Sequence, residues 1–163
     1  MVRVLHCFVN CIIIDFVHTF SIEMAKNNNI GGLSLMLLRV VLGLIMAYHG
    51  YLKLFVPSGF TGTVGFFTTI GIPVPAYSAL VVAVGEFFGG LLLIIGLLTR
   101  WASAVLIFEM LVAFFTVHLK QGFLVSQGGY EFVLLILAAL VVVLVNGPGT
   151  LSAGKFFKNK HLH

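Results

Sequence analysis

The chain has 163 residues, of which 60% are hydrophobic and only 9% charged, and its mean hydropathy is +1.15. A water-soluble domain of this length is not so apolar, so the bilayer is the expected solvent and lipid the first partner. The formal charge of +4 gathers in the tails, where Lys155, Lys158 and Lys160 follow the last apolar run; a short basic cluster beside a span, without interleaved aromatics, is a juxtamembrane signal and argues against nucleic acid as a partner.

In chain order, residues 1–23 come first and are awkward. The run from Val4 to Ile22 is apolar yet carries His6, Asp15 and His18. A fifth membrane segment, a signal-like segment without a small-x-small cleavage site, and an extension upstream of a true start at Met24 all fit that pattern. The cost of placing Asp15 in lipid favours the extension, because the pattern from Met24 onward reads as a complete four-span unit. Cys7 and Cys11 would share a helix face at this spacing, and they read as apolar-face cysteines rather than a redox or metal pair.

Four apolar stretches of near-spanning length follow, at 31–55, 76–98, 101–119 and 129–145. The expected fold is an all-α, four-helix transmembrane bundle within a membrane domain over 24–155, closed by a basic tail at 156–163. The first link, from Val56 to Pro75, is long, and Phe60, Val64 and Phe67 recur in it at helical spacing opposite several threonines; this predicts a short interfacial or re-entrant helix. The second link, around Thr99-Arg100, is so short that its helices must be antiparallel neighbours. The third, Lys120 to Gly128, is a polar, glycine-containing turn. Lys26, Arg100 and the three tail lysines lie on one side of this threading, which predicts both termini of the core in the cytoplasm.

Ionisable side chains inside spans are costly and usually face a bundle interior, so each is a candidate. At 100° per residue, Arg39, Met46, Gly50 and Lys53 occupy one narrow arc of the first helix, flanked by Gly43 and His49. On the second helix Glu86 shares a face with Ala79, Ala83 and Gly90, and Gly85 with Gly89 forms a G-x-x-x-G beside it. The threading brings His49, Lys53, His118 and Glu131 to one outer level with Glu86 deeper, while Arg39 lies about 21 Å further along the first helix. Interhelical ion pairs and register-fixing hydrogen bonds would leave a dry, closed cluster; a substrate site would leave a cavity. Glu109 is nine residues from His118, which at α-helical pitch turns it to the opposite side, away from the cluster. An oligomer contact, a pair with Arg39, or a protonated acid in lipid all remain open for it. His49 and His118 are formally able to ligate a haem, but no other residue supports one, and no metal site is expected.

The strings Tyr48-His49-Gly50-Tyr51-Leu52-Lys53-Leu54-Phe55, Gly71-Ile72-Pro73-Val74-Pro75, Glu86-Phe87-Phe88-Gly89-Gly90, Gly96-Leu97-Leu98-Thr99-Arg100, Gly128-Gly129-Tyr130-Glu131 and Asn146-Gly147-Pro148-Gly149, with Arg39 and Val117-His118, resemble the DoxX family of small four-helix inner-membrane proteins, from about Leu33 to Leu151. The resemblance implies a membrane component of redox metabolism, some relatives being the membrane subunit of thiosulfate:quinone oxidoreductases and others tied to thiol and oxidative-stress defence. It implies quinone as substrate, with chemistry at His49, Lys53, Glu86, His118 and Glu131, and Arg39, His49 and His118 as ligand-holding groups. Electrons would then come from a directly bound substrate or a peripheral redox enzyme. The alternative is a non-enzymatic scaffold, assembly factor or carrier of a small apolar ligand, with the small-residue seams used for association, including homo-oligomerisation.

Overall fold

The computed structural model describes residues 28–154; the N-terminal extension, Lys26 and the tail lysines lie outside the described residues. Among the described residues five α-helices form: α1 Asn28–Phe55, α2 Gly59–Thr69, α3 Pro75–Ile95, α4 Thr99–Ala113 and α5 Glu131–Asn146. There is no strand among the described residues. The helix α4 runs on without a break through a π-helical turn, Phe114–His118, and a 3-10 turn, Leu119–Gln121.

Among the described residues three segments, Ile30–Phe55, Pro75–Ile95 and Thr99–Gln121, are long and apolar enough to cross a membrane. The fourth, α5, is as apolar but has 16 residues, about 24 Å of helix against a hydrocarbon core of about 30 Å. It starts at Glu131, two residues later than its hydrophobic run, because Gly128 takes φ 79° and the loop folds back: Tyr130 N–H donates to Gly122 O at 3.0 Å and Glu131 N–H to Phe123 O at 2.9 Å. Likewise α3 stops at Ile95, before the end of its apolar run. Gly96, at φ 78°, donates its N–H to Leu92 O, the left-handed cap that glycine provides without steric cost. Pro75 opens α3 at a position where a missing N–H costs nothing.

The helices α1 and α3 pack most extensively, as antiparallel neighbours. Small residues set their separation. A Cβ at Gly43 would lie 2.7 Å from Gly90 O, and one at Gly50 would collide with the Phe87 backbone. The glycine seam is therefore spent inside the chain, α1 against α3, and the Gly85/Gly89 side of α3 meets Glu109 and Leu106 of α4. Leu42, Met46, Leu93, Leu106, Ile136 and Leu140 form the core between the helices. Many large apolar groups point outward instead, Trp101 at 74% exposure and Phe108 at 69% among them, as expected where the surroundings are lipid rather than water.

Both ends of the described chain meet at one end of the bundle. Thr150 N–H donates to Gly32 O and Gly154 N–H to Gly96 O, each at 3.3 Å. At that end the buried Arg39 guanidinium donates through Nη2 to Leu151 O at 2.8 Å, and Arg100 Nη2 to Val145 O at 3.2 Å. The first link forms its short helix as the spacing predicts, with Phe60, Thr63, Val64 and Phe67 half-buried against its neighbours. Its threonine hydroxyls donate back to carbonyls within or just before α2, such as Thr63 Oγ1 to Gly59 O at 2.9 Å, so they need no outside partner.

Candidate functional site

At the opposite end, the antiparallel register that sets Gly50 against Phe87 also brings Lys53 of α1 to Glu86 of α3. The Lys53 ammonium donates to Glu86 Oε2 and the two form an ion pair, with side-chain exposures of 22% and 6%. An acid this buried in a span is tolerated because a cation is held against it.

The pair does not close the interior. Beside it lies a cavity of about 710 Å³ whose polar wall includes His49, Lys53, Glu86 and His118. The rest is mostly apolar, with Met46, Phe132 and Ile136 on the bundle side and Phe66 and Phe67 of α2 across it. The short helix α2 is thus one wall of the site. Ion pairing and an open cavity, set against each other in the sequence reading, occur together.

Both histidines are oriented by backbone carbonyls. His49 Nδ1 lies 2.8 Å from Ile45 O and His118 Nδ1 lies 2.6 Å from Gly128 O. A carbonyl only accepts, so Nδ1–H is the donor in each, and each neutral ring keeps Nε2 as an acceptor. The second bond also ties the π turn of α4 to the loop before α5.

Two of the expected site residues stand apart from this cavity. Glu131 is not in its wall; its Oε2 accepts Val125 N–H at 3.0 Å, and with Tyr130 edge-on to Phe114 and Phe123 it closes the loop that carries Gly128 and Gly129 to the cavity. Arg39 sits about 21 Å from Lys53 along α1, with its guanidinium on Leu151 O.

Glu109 is placed otherwise than its spacing from His118 predicts. It is buried, at 7% exposure, on the inner stripe of α4 with Leu106 and Met110, and its carboxyl fills the space left by the absent side chain of Gly85, next to Glu86. Arg39 is not its partner. The physical reason is the π turn at Phe114–His118, which advances fewer degrees per residue than the ~100° of an α-helix, so nine residues no longer make a half-turn offset. Glu109 is buried, whereas no residue of the π turn is, and His118 but not Glu109 lines the first cavity. Counting back from the core stripe Ala102–Leu106–Met110, rather than from His118, finds Glu109 in sequence.

Glu109 borders a second cavity, of about 580 Å³, among Phe67, Tyr77, Val81, Val105 and Phe108. Phe67, Val82, Glu86, Met110, Ala113 and Val117 belong to both cavities, which are neighbours across these side chains. Among the described residues no three His, Cys, Asp or Glu side chains gather as metal ligands do.

These features define a small multi-pass helical membrane protein with a polar-walled cavity at one end of the bundle. The DoxX family model matches residues 34–119, and the chain belongs to that family. It is 36% identical over 138 residues to the Bacillus subtilis (strain 168) protein named "Putative oxidoreductase CatD", covering 84% of this chain and 95% of that one. It is 31% identical over 126 residues to the Mycobacterium tuberculosis (strain H37Rv) membrane protein Rv3486, with 71% and 76% covered. To the Escherichia coli (strain K12) inner membrane protein YphA the identity is 26% over 123 residues, with 72% and 86% covered. No solved structure matches the chain.

Proposed function

We propose that the protein is the membrane subunit of a quinone-linked redox system in the cytoplasmic membrane, with the quinone head group bound in the first cavity. The observation that carries this reading is the convergence of two carbonyl-oriented histidines and a Lys–Glu pair on one largely apolar cavity. A ring with two carbonyl oxygens needs apolar walls and polar groups at its ends. Reduction adds two electrons and two protons to it. Each histidine first takes up a proton from water at Nε2, the resulting N–H donates to a quinone carbonyl oxygen, and that proton passes to the oxygen as the ring is reduced, while Lys53 is placed to stabilise negative charge developing on a quinol oxygen. Glu86, bound to Lys53, sets the position of that ammonium. The electrons come from a donor, a small thiol or sulfur compound or a peripheral redox enzyme, meeting the cavity end of the bundle. The relative CatD bears an oxidoreductase name, which supports the redox reading at the level of class. The Lys/Arg bias of the sequence puts the two core termini in the cytoplasm and the cavity towards the outer face.

The test is quinone binding by the detergent-purified chain, read as thermal stabilisation in wild type, His49→Ala, His118→Ala and the double variant. Stabilisation that is lost in the double variant, while its size-exclusion profile stays that of wild type, supports the assignment. Equal stabilisation in all four proteins, or none in any, removes it and leaves a scaffold or carrier role. The glycine seams that would favour a scaffold are already occupied within the chain.

A further inference from the structure

The second cavity is not used by the proposed reaction, and it has unusual walls. Apart from Glu109, the edge of Glu86, Tyr77, and Ser78 and Thr116, whose hydroxyls already donate to Pro73 O and Val112 O, its lining is apolar. Glu86 is committed to Lys53, whereas Glu109 Oε2 is buried with no hydrogen-bond partner among the described residues. Gly85 supplies the room for that carboxyl. An enclosed carboxyl oxygen without a partner is destabilising, and a ligand that supplies a donor removes that cost.

We propose that this cavity binds a lipid-soluble aromatic alcohol, a phenol-type ring whose hydroxyl donates to the Glu109 carboxyl. The proposal is independent of the quinone reading. Three features select the ligand class. A volume of about 580 Å³ falls within the usual range of small-molecule sites, and Phe67, Tyr77 and Phe108 offer ring surfaces for an aromatic. The single polar requirement is one donor, and a hydroxyl donates to a carboxyl oxygen whether or not that carboxyl holds a proton. A charged head group would meet apolar walls and be rejected. Tyr77, Val81, Val105 and Phe108 are at the same time 47% to 69% exposed on the outer surface of the bundle, so the approach to this site is from hydrocarbon, where such molecules partition.

The full chain in detergent is titrated with 4-heptylphenol and, separately, with its methyl ether, which matches it in size and lacks the donor; stability is followed by thermal unfolding. The expected result is stabilisation by the phenol at concentrations about tenfold below those the ether needs. Glu109→Leu should abolish the difference between the two probes. Val105→Phe, which fills the second cavity from a position outside the first, should abolish binding of both while leaving the quinone response unchanged. If phenol and ether stabilise equally in wild type, the cavity is only a groove for acyl chains and the proposal fails. It fails also if the preference for phenol survives in Val105→Phe, a variant at a lipid-facing position that keeps the test valid should Glu109→Leu not fold.

Discussion

The Lys53–Glu86 pair links helix register to site chemistry. Lys53→Met leaves Glu86, 6% exposed, without its cation; Glu86→Gln leaves Lys53, whose side chain is 22% exposed. Removing one partner of a buried pair costs about 3–5 kcal/mol, while replacing both is often neutral or stabilising. The exposure difference orders the two single variants: Lys53 retains some access to polar surroundings when unpaired, and Glu86 does not. Lys53→Met should therefore be the more damaging, and for a chain of this size each kcal/mol corresponds to roughly 2–4 °C in Tm. A loss of roughly 6–20 °C is expected for Lys53→Met, a smaller one for Glu86→Gln, and near recovery in the double variant. Thermal unfolding of the four proteins in one detergent measures the cycle. Additive losses in the double variant, or single variants as stable as wild type, would refute the claim that the pair is mutually dependent and buried.

Three further outcomes are expected. Gly50→Val should force α1 away from the Phe87 backbone and cost about 1–3 kcal/mol, read as a lower Tm together with weaker quinone stabilisation, since the same contact sets Lys53 against Glu86. Arg39→Met should leave the quinone response intact and speed hydrogen exchange at residues 150–154, because the guanidinium holds Leu151 O; unchanged exchange would deny Arg39 that role. Deleting Phe115 should convert the π turn at 114–118 to α-helix and swing His118 away from Gly128, so that helicity by circular dichroism is kept and quinone stabilisation falls; an unaltered response would show that the turn does not position the imidazole.

Much of the architecture was legible in the residues, and for a plain reason. Lipid demands that each backbone polar group be satisfied within its own segment, so long apolar runs have one solution, the helix. The arc of Arg39, Met46, Gly50 and Lys53 and the face of Ala79, Ala83, Glu86 and Gly90 follow from the α-helical repeat, and these are the faces that α1 and α3 bury. Referring Glu109 to His118 carried it across the change of pitch at Phe114–His118, which leaves no mark in composition; referred to Leu106 and Met110, the same repeat places it on the inner stripe. Loop folding shortened α5 and turned Glu131 to Val125 N–H, through backbone hydrogen bonds within the loop that hydrophobic patterning does not encode.

Sequence alone determined the membrane class, the helices and which ionisable groups needed explanation, since hydropathy and periodicity are properties of the chain itself. Tertiary structure alone decided which groups meet. Only packing, through the glycine contacts of α1 with α3, places Lys53 on Glu86, and only packing opens cavities beside them, because a void is a property of how surfaces fail to fill space between helices and not of any one helix.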